Sequence, residues 1–511
     1  VLKKAQKSLA EKAAATGIPQ GVGEWDFKLG DWEIKEYLFQ TTRKSTVGVV
    51  AELPWLFVFL TFGLGILGGM LCILPQFKTI PGIKNNGIYH HSLTRGLRLS
   101  WRGFLLGSTI LGVLTYGIFY LNGDWLWSVL TAAMALLITW LVFFYEKQKQ
   151  NQPNRSASPT MTGWLGLLAG LYLIGFYIIL YWSPQTVAPW MAMLDPLSRA
   201  LNGGEASQWF LYGLLYTVVV LVMGVRMIAK YRHNRYQMLR TGSVMFFQLA
   251  FAFLLPEILV RLNQPYFDFK NIWPLDYDFF FDWNLNNLVQ SGGLGVFMLV
   301  WGIALAAIGV PVLTYLFGKR WYCSWVCGCG GLAETFGDPW RQLSDKSLRA
   351  WKFERWIVHG VLVFAVVMTA LVLYTYFTGA RNVLIFSSDS VRAWYGFLIG
   401  SAFAGVVGTG FYPLMGNRVW CRFGCPLAAY LGLVQRFKSR FRITTNGGQC
   451  ISCGNCSTYC EMGIDVRWYA QRGQDVVRAS CVGCGICAAV CPRGVLRLEN
   501  AKEKDLSPRE I

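Results

Sequence analysis

The chain has 511 residues, of which 54% are hydrophobic and only 15% are charged, and its formal net charge is +19. This charged fraction is well below that of ordinary soluble domains, so the composition indicates an integral membrane protein and argues against a large soluble enzyme. The positive charge lies mostly in loops and in the C-terminal region, where anionic lipid head groups are the expected partner. It does not require nucleic acid as a partner.

Apolar segments long enough to cross a bilayer as helices, at about 20 residues each, predict a polytopic helical bundle. The nine predicted spans are 54–77, 103–121, 125–145, 162–182, 209–229, 241–260, 292–318, 356–378 and 394–414. Before them lies the N-terminal tail 1–53, which begins with a basic amphipathic stretch. We expect this tail to be external or to lie on a membrane surface.

Basic loops predict the orientation of the bundle, because loops rich in Lys and Arg stay on the cytoplasmic side. The loops at 78–102, 230–240 and 319–355 are all basic and alternate correctly with nine spans. The loop at 261–291 is acidic and aromatic, which predicts an external interfacial cap. We therefore expect a multi-pass protein of the bacterial inner membrane, with its C-terminal region in the cytoplasm.

Two runs of cysteines near the C-terminus carry the strongest chemical signal. "CISCGNCSTYC" spans 450–460 and "CVGCGICAAVCP" spans 481–492. In a bacterial two-cluster ferredoxin, three cysteines of each run bind one [4Fe–4S] cluster and the fourth binds the other. One predicted ligand set is Cys450, Cys453, Cys456 and Cys491, and the second is Cys481, Cys484, Cys487 and Cys460. Zinc is a poor alternative for eight cysteines in two full runs.

The residue after the fourth cysteine differs between the two runs. Pro492 follows Cys491, as the bacterial pattern expects, whereas Glu461 follows Cys460. We interpret this as a local difference with little effect on ligation.

Four further cysteines form two CxxxC motifs, each directly after a predicted span. They are Cys323 and Cys327 in "WYCSWVCGCG" and Cys421 and Cys425 in "WCRFGCP". Their placement predicts that they meet at one depth near the cytoplasmic face and bind a third iron–sulfur centre, with nearby arginines balancing their charge. Cys329 is an alternative ligand to Cys327, and reactive or structural thiols are the competing interpretation.

These motifs resemble the NosR/NapH type of membrane-bound polyferredoxin, in which paired CxxxCP motifs accompany a two-cluster ferredoxin domain. The resemblance covers roughly residues 290–500 and implies a membrane electron carrier between the quinone pool, cytoplasmic clusters and an oxidoreductase on the other face. The chain departs from the type in two ways. Gly328 stands where the first motif would have proline, and no flavin-attachment motif of the TSGAT kind is present.

Other cofactors are poorly supported by the residues. Bis-histidine haem is effectively excluded, since the chain has only four histidines and only His359 lies within a predicted span. Neither ferredoxin run contains the CxxCH needed for covalent haem. Quinone is a further candidate cofactor. It would require a binding pocket near the layer of the CxxxC motifs.

The predicted organisation is a mainly α-helical bundle with a small C-terminal α+β ferredoxin domain of ββα repeats. Its parts are the tail 1–53, helices one to six at 54–260, the external loop 261–291, the core 292–444 with helices seven to nine, the ferredoxin domain 445–500 and the tail 501–511.

Three classes of function fit these features. The first is an electron conduit within a hetero-oligomeric respiratory complex, linking a cytoplasmic flavoprotein or ferredoxin to an external cytochrome. The second is a quinone oxidoreductase with its own quinone site, and the third is a redox sensor or assembly factor. The first is preferred, and in it the chain is an electron-transfer subunit with no catalytic residues of its own.

Overall fold

The computed structural model describes residues 52–78, 164–182, 184–379, 382–383 and 386–500. Two compact units divide the chain. The described residues of the first unit lie within 52–68 and 178–213, and those of the second lie within 69–78, 164–177 and 214–500. Every predicted cysteine ligand belongs to the second unit.

Long helices dominate the described residues. They are α1 (Pro54–Lys78), α2 (Trp164–Trp182), α3 (Ala188–Leu201), α4 (Gln208–Lys230), α5 (Arg235–Arg261), α6 (Asp282–Gln290), α7 (Gly292–Phe317), α8 (Arg320–Cys323), α9 (Gly328–Thr335), α10 (Leu348–Thr378), α11 (Ser388–Gly410), α12 (Tyr412–Met415) and α13 (Pro426–Lys438). Single 3₁₀ turns occupy Pro184–Val187, Asp338–Leu343 and Gly447–Gln449. Helices α5, α7 and α11 each contain a π-helical stretch, and Trp420–Gly424 is a short π-helical turn.

Six of the described helices are long and apolar enough to cross a membrane: α1, α4, α5, α7, α10 and α11. A shorter apolar helix, Leu168–Trp182, lies within α2 and coincides with the predicted span 162–182. The predicted spans 103–121 and 125–145 lie outside the described residues. The described part of the chain is therefore mainly helical with six candidate membrane-spanning helices, and the number nine stays a prediction.

The surfaces of these helices are apolar where they face outward. Ile308 of α7 is 64% exposed, and Trp356 and Phe377 of α10 are 83% and 79% exposed. Large side chains of this kind, repeated along several helices, would be unfavourable in water. Lipid is the environment that accommodates them, as expected for multi-pass helices.

Residues 262–281 fold back among the helices. Phe279 packs against Gly302 of α7, where an added Cβ would lie 2.4 Å from the phenylalanine ring. Tyr277 packs in the same way on Gly400 of α11, and Trp273 donates a hydrogen bond to Thr369 of α10 at 3.0 Å. The two glycines thus make room for aromatic side chains of the loop. The middle of the loop therefore packs against the helices, and its placement as an external interfacial cap stays a prediction.

The ferredoxin domain contains one two-stranded antiparallel sheet among its described residues. Strand β3 (Phe441–Thr445) pairs with β4 (Leu496–Asn500), and Ile443 also forms an isolated bridge with Val476. Between them lie three short helices, α14 (Asn455–Thr458), α15 (Val466–Gln471) and α16 (Ile486–Ala489). Strand β3 thus begins four residues before 445, the predicted start of the domain, and the domain bounds stay a prediction. Two further strands, β1 (Asn382–Val383) and β2 (Phe386–Ser387), pair between α10 and α11.

The ferredoxin domain shares its hydrophobic core with helices α7 and α13. Leu427 and Leu431 of α13 are in the same buried cluster as Ile443, Val476 and Leu496 of the ferredoxin domain. Ala306 and Val310 of α7 also belong to this cluster. The domain is therefore fixed on the bundle by apolar burial rather than attached by a linker.

Replacing Leu431 with alanine is expected to lower stability substantially, because its side chain is fully buried in this shared core. Loss of a buried leucine typically costs about 2–5 kcal/mol. Phe437 of the same helix is 68% exposed, so Phe437→Ala is the matched control and should have little effect. The measurement is the temperature at which iron–sulfur absorbance is lost. An equal effect of both variants would contradict the shared core.

Candidate iron–sulfur sites

The first predicted ligand set surrounds one cavity. Cys450, Cys453, Cys456 and Cys491 all line it. Arg467 and Arg493 complete its rim, and both are exposed. Cys453 is exposed as well, so this cavity lies close to solvent. The structure thus brings together four cysteines that are separated by up to 41 positions in the chain.

The second predicted set surrounds a separate cavity. Cys460, Cys481, Cys484 and Cys487 line it, together with buried apolar side chains and Glu461. Cys481 and Cys487 are buried, and the backbone next to them is held by groups outside the ferredoxin domain. Ser324 donates a hydrogen bond to the Val482 carbonyl at 2.8 Å, and Gln237 donates one to the Cys484 carbonyl at 2.8 Å.

Local backbone geometry explains how each run wraps around its cavity. Gly454 and Gly485 have φ values of +79° and +74° and immediately precede α14 and α16. Only glycine adopts this conformation without strain, so the turn exists because of these two residues. Two further glycines, Gly463 and Gly494, have φ values of +66° and +62° and precede N–H donors to sulfur. Ile464 N–H donates to Cys460 Sγ and Val495 N–H to Cys491 Sγ, each at 3.4 Å. Such donors fit an iron–sulfur cluster.

The four CxxxC cysteines come together beneath the ferredoxin domain. Cys323 ends α8, Cys327 immediately precedes α9, Cys421 lies in the π-helical turn and Cys425 immediately precedes α13. All four are buried in one hydrophobic cluster, which also contains cysteines of the ferredoxin domain. We call these four residues the membrane-proximal cysteines.

Electrostatic coupling among these thiols indicates that they face one another. Burial, with charge repulsion from Cys327 and Cys421, raises the pKa of Cys323 to about 12 against the opposing effect of Lys319. Burial also raises the pKa of Cys425 well above its usual value, with Cys421, Cys327 and Cys323 adding to the effect. Thiols with such pKa values stay protonated by themselves. A bound metal centre would stabilise them as thiolates, since metals displace the thiol proton.

The two candidates for one ligand position differ in their surroundings. A hydrogen bond from Cys329 lowers the pKa of Cys327 to about 6, and a backbone N–H group of Gly330 contributes in the same direction. Cys329 is only partly buried. The structure therefore favours Cys327 as the ligand and Cys329 as a neighbour that donates to its sulfur. The assignment stays a prediction.

A buried network of ion pairs, not anticipated from the sequence, lies between the second cavity and the membrane-proximal cysteines. Asp338 pairs with Lys230 at 2.7 Å and with Arg226 at 3.0 Å. Glu461 pairs with Arg341 at 2.8 Å and with Arg418 at 3.0 Å. A further carboxylate, Glu334, pairs with both Arg240 and Arg418. The acidic residues of "GLAETFGDPW", within the loop predicted as basic, were the only available sequence signal.

Mutual compensation keeps these charges stable in the interior. Burial alone would raise the pKa of Glu461, but Arg341, Arg418 and Arg240 outweigh burial and lower it to about 2. Glu334, Glu461 and Cys484 have ligand atoms within 4.8 Å of one another, a spacing that a metal ion also accepts. Both carboxylates already pair with arginines, so we interpret this group as part of the ionic network.

The folded-back loop adds a positive charge beside the first CxxxC motif. The space next to Gly328 is closed by Gln248 and Lys270, and an added Cβ would lie 3.7 Å from Lys270 Nζ. Lys270 pairs with Asp268 of the same loop at 3.0 Å, and its charge acts on Cys327 and Cys329. Ile272 is in the same buried cluster as the membrane-proximal cysteines. The sequence placed this lysine in an external loop and gave no signal of its proximity.

Two family comparisons match the segments that carry these cysteines. Residues 449–496 match a family described as a 4Fe-4S dicluster domain. Residues 297–352 and 396–444 match a second family, described as a 4Fe-4S binding domain, and these segments contain both CxxxC motifs. This chain carries ferredoxin-type 4Fe–4S domains. Iron–sulfur clusters are therefore its cofactors, while their number stays a prediction.

The chain is similar to proteins named as a putative electron transport protein and as ferredoxin-type proteins. The chain is 26% identical over 193 residues to the putative electron transport protein YccM of Escherichia coli K12, covering 36% of this chain and about half, 52%, of YccM. It is 26% identical over 245 residues to the methylamine utilization ferredoxin-type protein MauN of Methylobacillus flagellatus, covering 47% of this chain and 80% of MauN. MauN of Paracoccus denitrificans is 28% identical over 186 residues, which cover 34% of this chain and 59% of that protein. No solved structure matches the chain significantly.

Replacing Lys270 with glutamine is expected to lower the midpoint potential of a centre held by the membrane-proximal cysteines. The substitution leaves the negative charge of Asp268 uncompensated, which disfavours an added electron by roughly 1 kcal/mol, about 40 mV. Lys346→Gln is the control, because the charge of Lys346 acts on Cys460 of the second cavity. An EPR-monitored redox titration should show a different centre shifting in each variant. The same centre shifting in both would contradict the placement of Lys270.

Proposed function

We propose that this chain is a membrane-bound electron-transfer protein that relays electrons between the cytoplasmic side and either the membrane quinone pool or an external redox partner. In this proposal the chain is a subunit of a larger respiratory complex and belongs to the NosR/NapH type. The observation that carries the proposal is the shared core, in which cysteines of the ferredoxin domain and the membrane-proximal cysteines are buried together. Because buried protein is continuous between the ferredoxin sites and the membrane-proximal cysteines, electron transfer between them is favoured over a separate role for each site.

The order of the sites supports a relay from the surface inward. The first cavity opens beside exposed Cys453, where a partner protein has access. The second cavity is held against the bundle, with Tyr236 donating to the Gly483 carbonyl at 3.0 Å and Lys319 to the Ala479 carbonyl at 3.3 Å. The membrane-proximal cysteines come next. The cysteines are thus most exposed at the first cavity, more buried at the second cavity and all buried at the membrane-proximal site.

A bound iron–sulfur cluster supplies one-electron redox chemistry without a covalent bond to substrate. The protein's residues do the remaining work. Cysteine sulfurs hold the iron, buried apolar side chains exclude water, and N–H groups donate to sulfur, which favours the reduced state. Ala428 N–H donates to Cys425 Sγ at 3.3 Å and Arg418 to Cys421 Sγ at 3.6 Å, so the membrane-proximal site has the same kinds of donors.

Charge around the first cavity favours an acidic partner. Arg467 and Arg493 are exposed at its rim, and Arg472 and Arg497 are exposed elsewhere on the same domain. Trp468 is 43% exposed, and Arg472 Cζ lies 4.1 Å from the centroid of its ring. This pair gives the surface an apolar and basic character. An acidic ferredoxin or flavoprotein in the cytoplasm complements this surface. The membrane side of the relay would lead to quinone or to an external cytochrome.

Iron and acid-labile sulfide in anaerobically purified protein test the number of centres. We expect about twelve iron atoms per chain, from three clusters of four. Cys421→Ser combined with Cys425→Ser should lower this to about eight and remove one EPR signal, whereas Cys329→Ser should leave the iron content unchanged. Eight iron atoms in both the wild-type protein and the double variant would contradict a third centre.

Charge reversal of Arg467 and Arg493 tests the docking surface. The double variant with glutamate at both positions should react with reduced acidic ferredoxin about tenfold more slowly at low ionic strength, because electrostatic steering is lost. Its rate should also depend less on salt. Arg199 of α3 is exposed and far along the chain from the ferredoxin domain, so Arg199→Glu is the control. Equal rates for both variants in stopped-flow measurements would argue for docking elsewhere.

A further inference from the structure

The residue after the fourth cysteine of the first run sets the two cavities apart. Pro492 follows Cys491 and lines the first cavity, whereas Glu461 follows Cys460 and lines the second. Glu461 is fully buried, with 0% of its surface exposed. An isolated buried carboxylate is strongly unfavourable, so the buried charge of Glu461 requires hydrogen-bonding or positively charged partners.

The compensating groups all come from segments outside the ferredoxin domain. Glu461 Oε2 pairs with Arg341 at 2.8 Å and accepts a hydrogen bond from Asn417 at 3.2 Å. Glu461 Oε1 pairs with Arg418 at 3.0 Å. The Glu461 carbonyl also accepts a hydrogen bond from Ser344 at 2.7 Å. The first cavity has no described counterpart of this arrangement, since Pro492 carries no charge.

Arg418 reaches the membrane-proximal cysteines with its other nitrogen. Arg418 Nη1 lies 3.6 Å from Cys421 Sγ and donates to the Cys323 carbonyl at 3.2 Å, while Nη2 pairs with Glu461. One guanidinium therefore contacts one CxxxC cysteine directly and the backbone of another. Its partner Glu461 is covalently joined to Cys460, a predicted ligand at the second cavity.

We propose that the Arg418–Glu461 ion pair is the bridge that joins the second ferredoxin site to the membrane-proximal site, both mechanically and electronically. This inference rests on the proposed function. The path runs from Cys460 through the peptide bond to Glu461, across the ion pair to Arg418, and across one hydrogen bond to Cys421 Sγ. In each transfer one electron leaves the donor site and enters the acceptor site, and the bridge itself is neither oxidised nor reduced.

Two substitutions of Glu461 separate the two aspects of the bridge. Glu461→Gln keeps the size of the side chain and removes its charge. Glu461→Pro places the residue typical of the bacterial ferredoxin motif after Cys460 and removes the link to Arg418. Glu354→Gln is the matched control, because Glu354 is also buried and pairs at 3.0 Å with Arg422, the neighbour of Cys421.

The decisive readout is the midpoint potential of each centre, measured by EPR-monitored titration of the full-length protein. Glu461→Gln should raise the potentials of two centres at once. It removes a negative charge beside the second cavity and leaves Arg418, beside Cys421, with only one of its two carboxylate partners, Glu334. Glu354→Gln leaves the Arg418–Glu461 pair in place, so its shift of the second ferredoxin centre should be smaller than that of Glu461→Gln. Loss of a merely structural contact would not produce a paired upward shift.

Hydrogen–deuterium exchange gives a second readout that does not depend on redox activity. Glu461→Pro should increase exchange over residues 476–490, which contact the bundle, and leave residues 449–456 at the first cavity nearly unchanged. Glu354→Gln should not reproduce this pattern.

The possible results distinguish this inference from the proposed function. Twelve iron atoms in the wild-type protein with a paired shift in Glu461→Gln support both. Twelve iron atoms with one potential or none shifted overturn the bridge and leave the relay intact. Eight iron atoms in the wild-type protein overturn the third centre and with it the bridge.

Discussion

The arrangement depends on one electrostatic constraint: cysteine thiolates cannot be buried together in an apolar core unless a positive charge accompanies them. Cys323, Cys421 and Cys425 are buried among apolar side chains, and their raised pKa values reflect that environment. A metal centre satisfies the constraint, because its charge stabilises the thiolates it binds. The match of both CxxxC segments to a 4Fe-4S binding domain agrees with this chemistry.

The same constraint explains the arginines and carboxylates that surround the cysteines. Arg226, Arg240, Arg341 and Arg418 are among the largest fully buried side chains of the described residues. Each is near a carboxylate, so the interior between the second cavity and the membrane-proximal cysteines holds charge of both signs in fixed positions. Buried ion pairs contribute little net stability, but removing one partner is strongly destabilising. Such a network therefore specifies one geometry between the ferredoxin domain and the bundle, which is what electron transfer over short distances requires.

The glycines within the spans have a related role. Gly302 and Gly400 allow Phe279 and Tyr277 to pack against the helices, and this packing holds the middle of the segment 262–281 against the bundle. Lys270 thereby reaches the first CxxxC motif.

Sequence alone determined the chemistry of the sites, since ligand spacing is a local property. The two CxxCxxCxxxC runs predicted both ligand sets, and the same eight cysteines line the two cavities. Hydrophobic segment length also located every candidate spanning helix among the described residues, because crossing a bilayer imposes a length that a local pattern records. Tertiary structure decided what depends on contacts between distant segments. It placed Lys270 beside Cys327, showed that α13 and the ferredoxin strands share one core, and gave Glu461 a partner in Arg418. In the sequence, Glu461 is only a local departure from the ferredoxin motif. Its partners Arg341 and Arg418 are 120 and 43 positions away in the chain, and only folding brings them into contact with it.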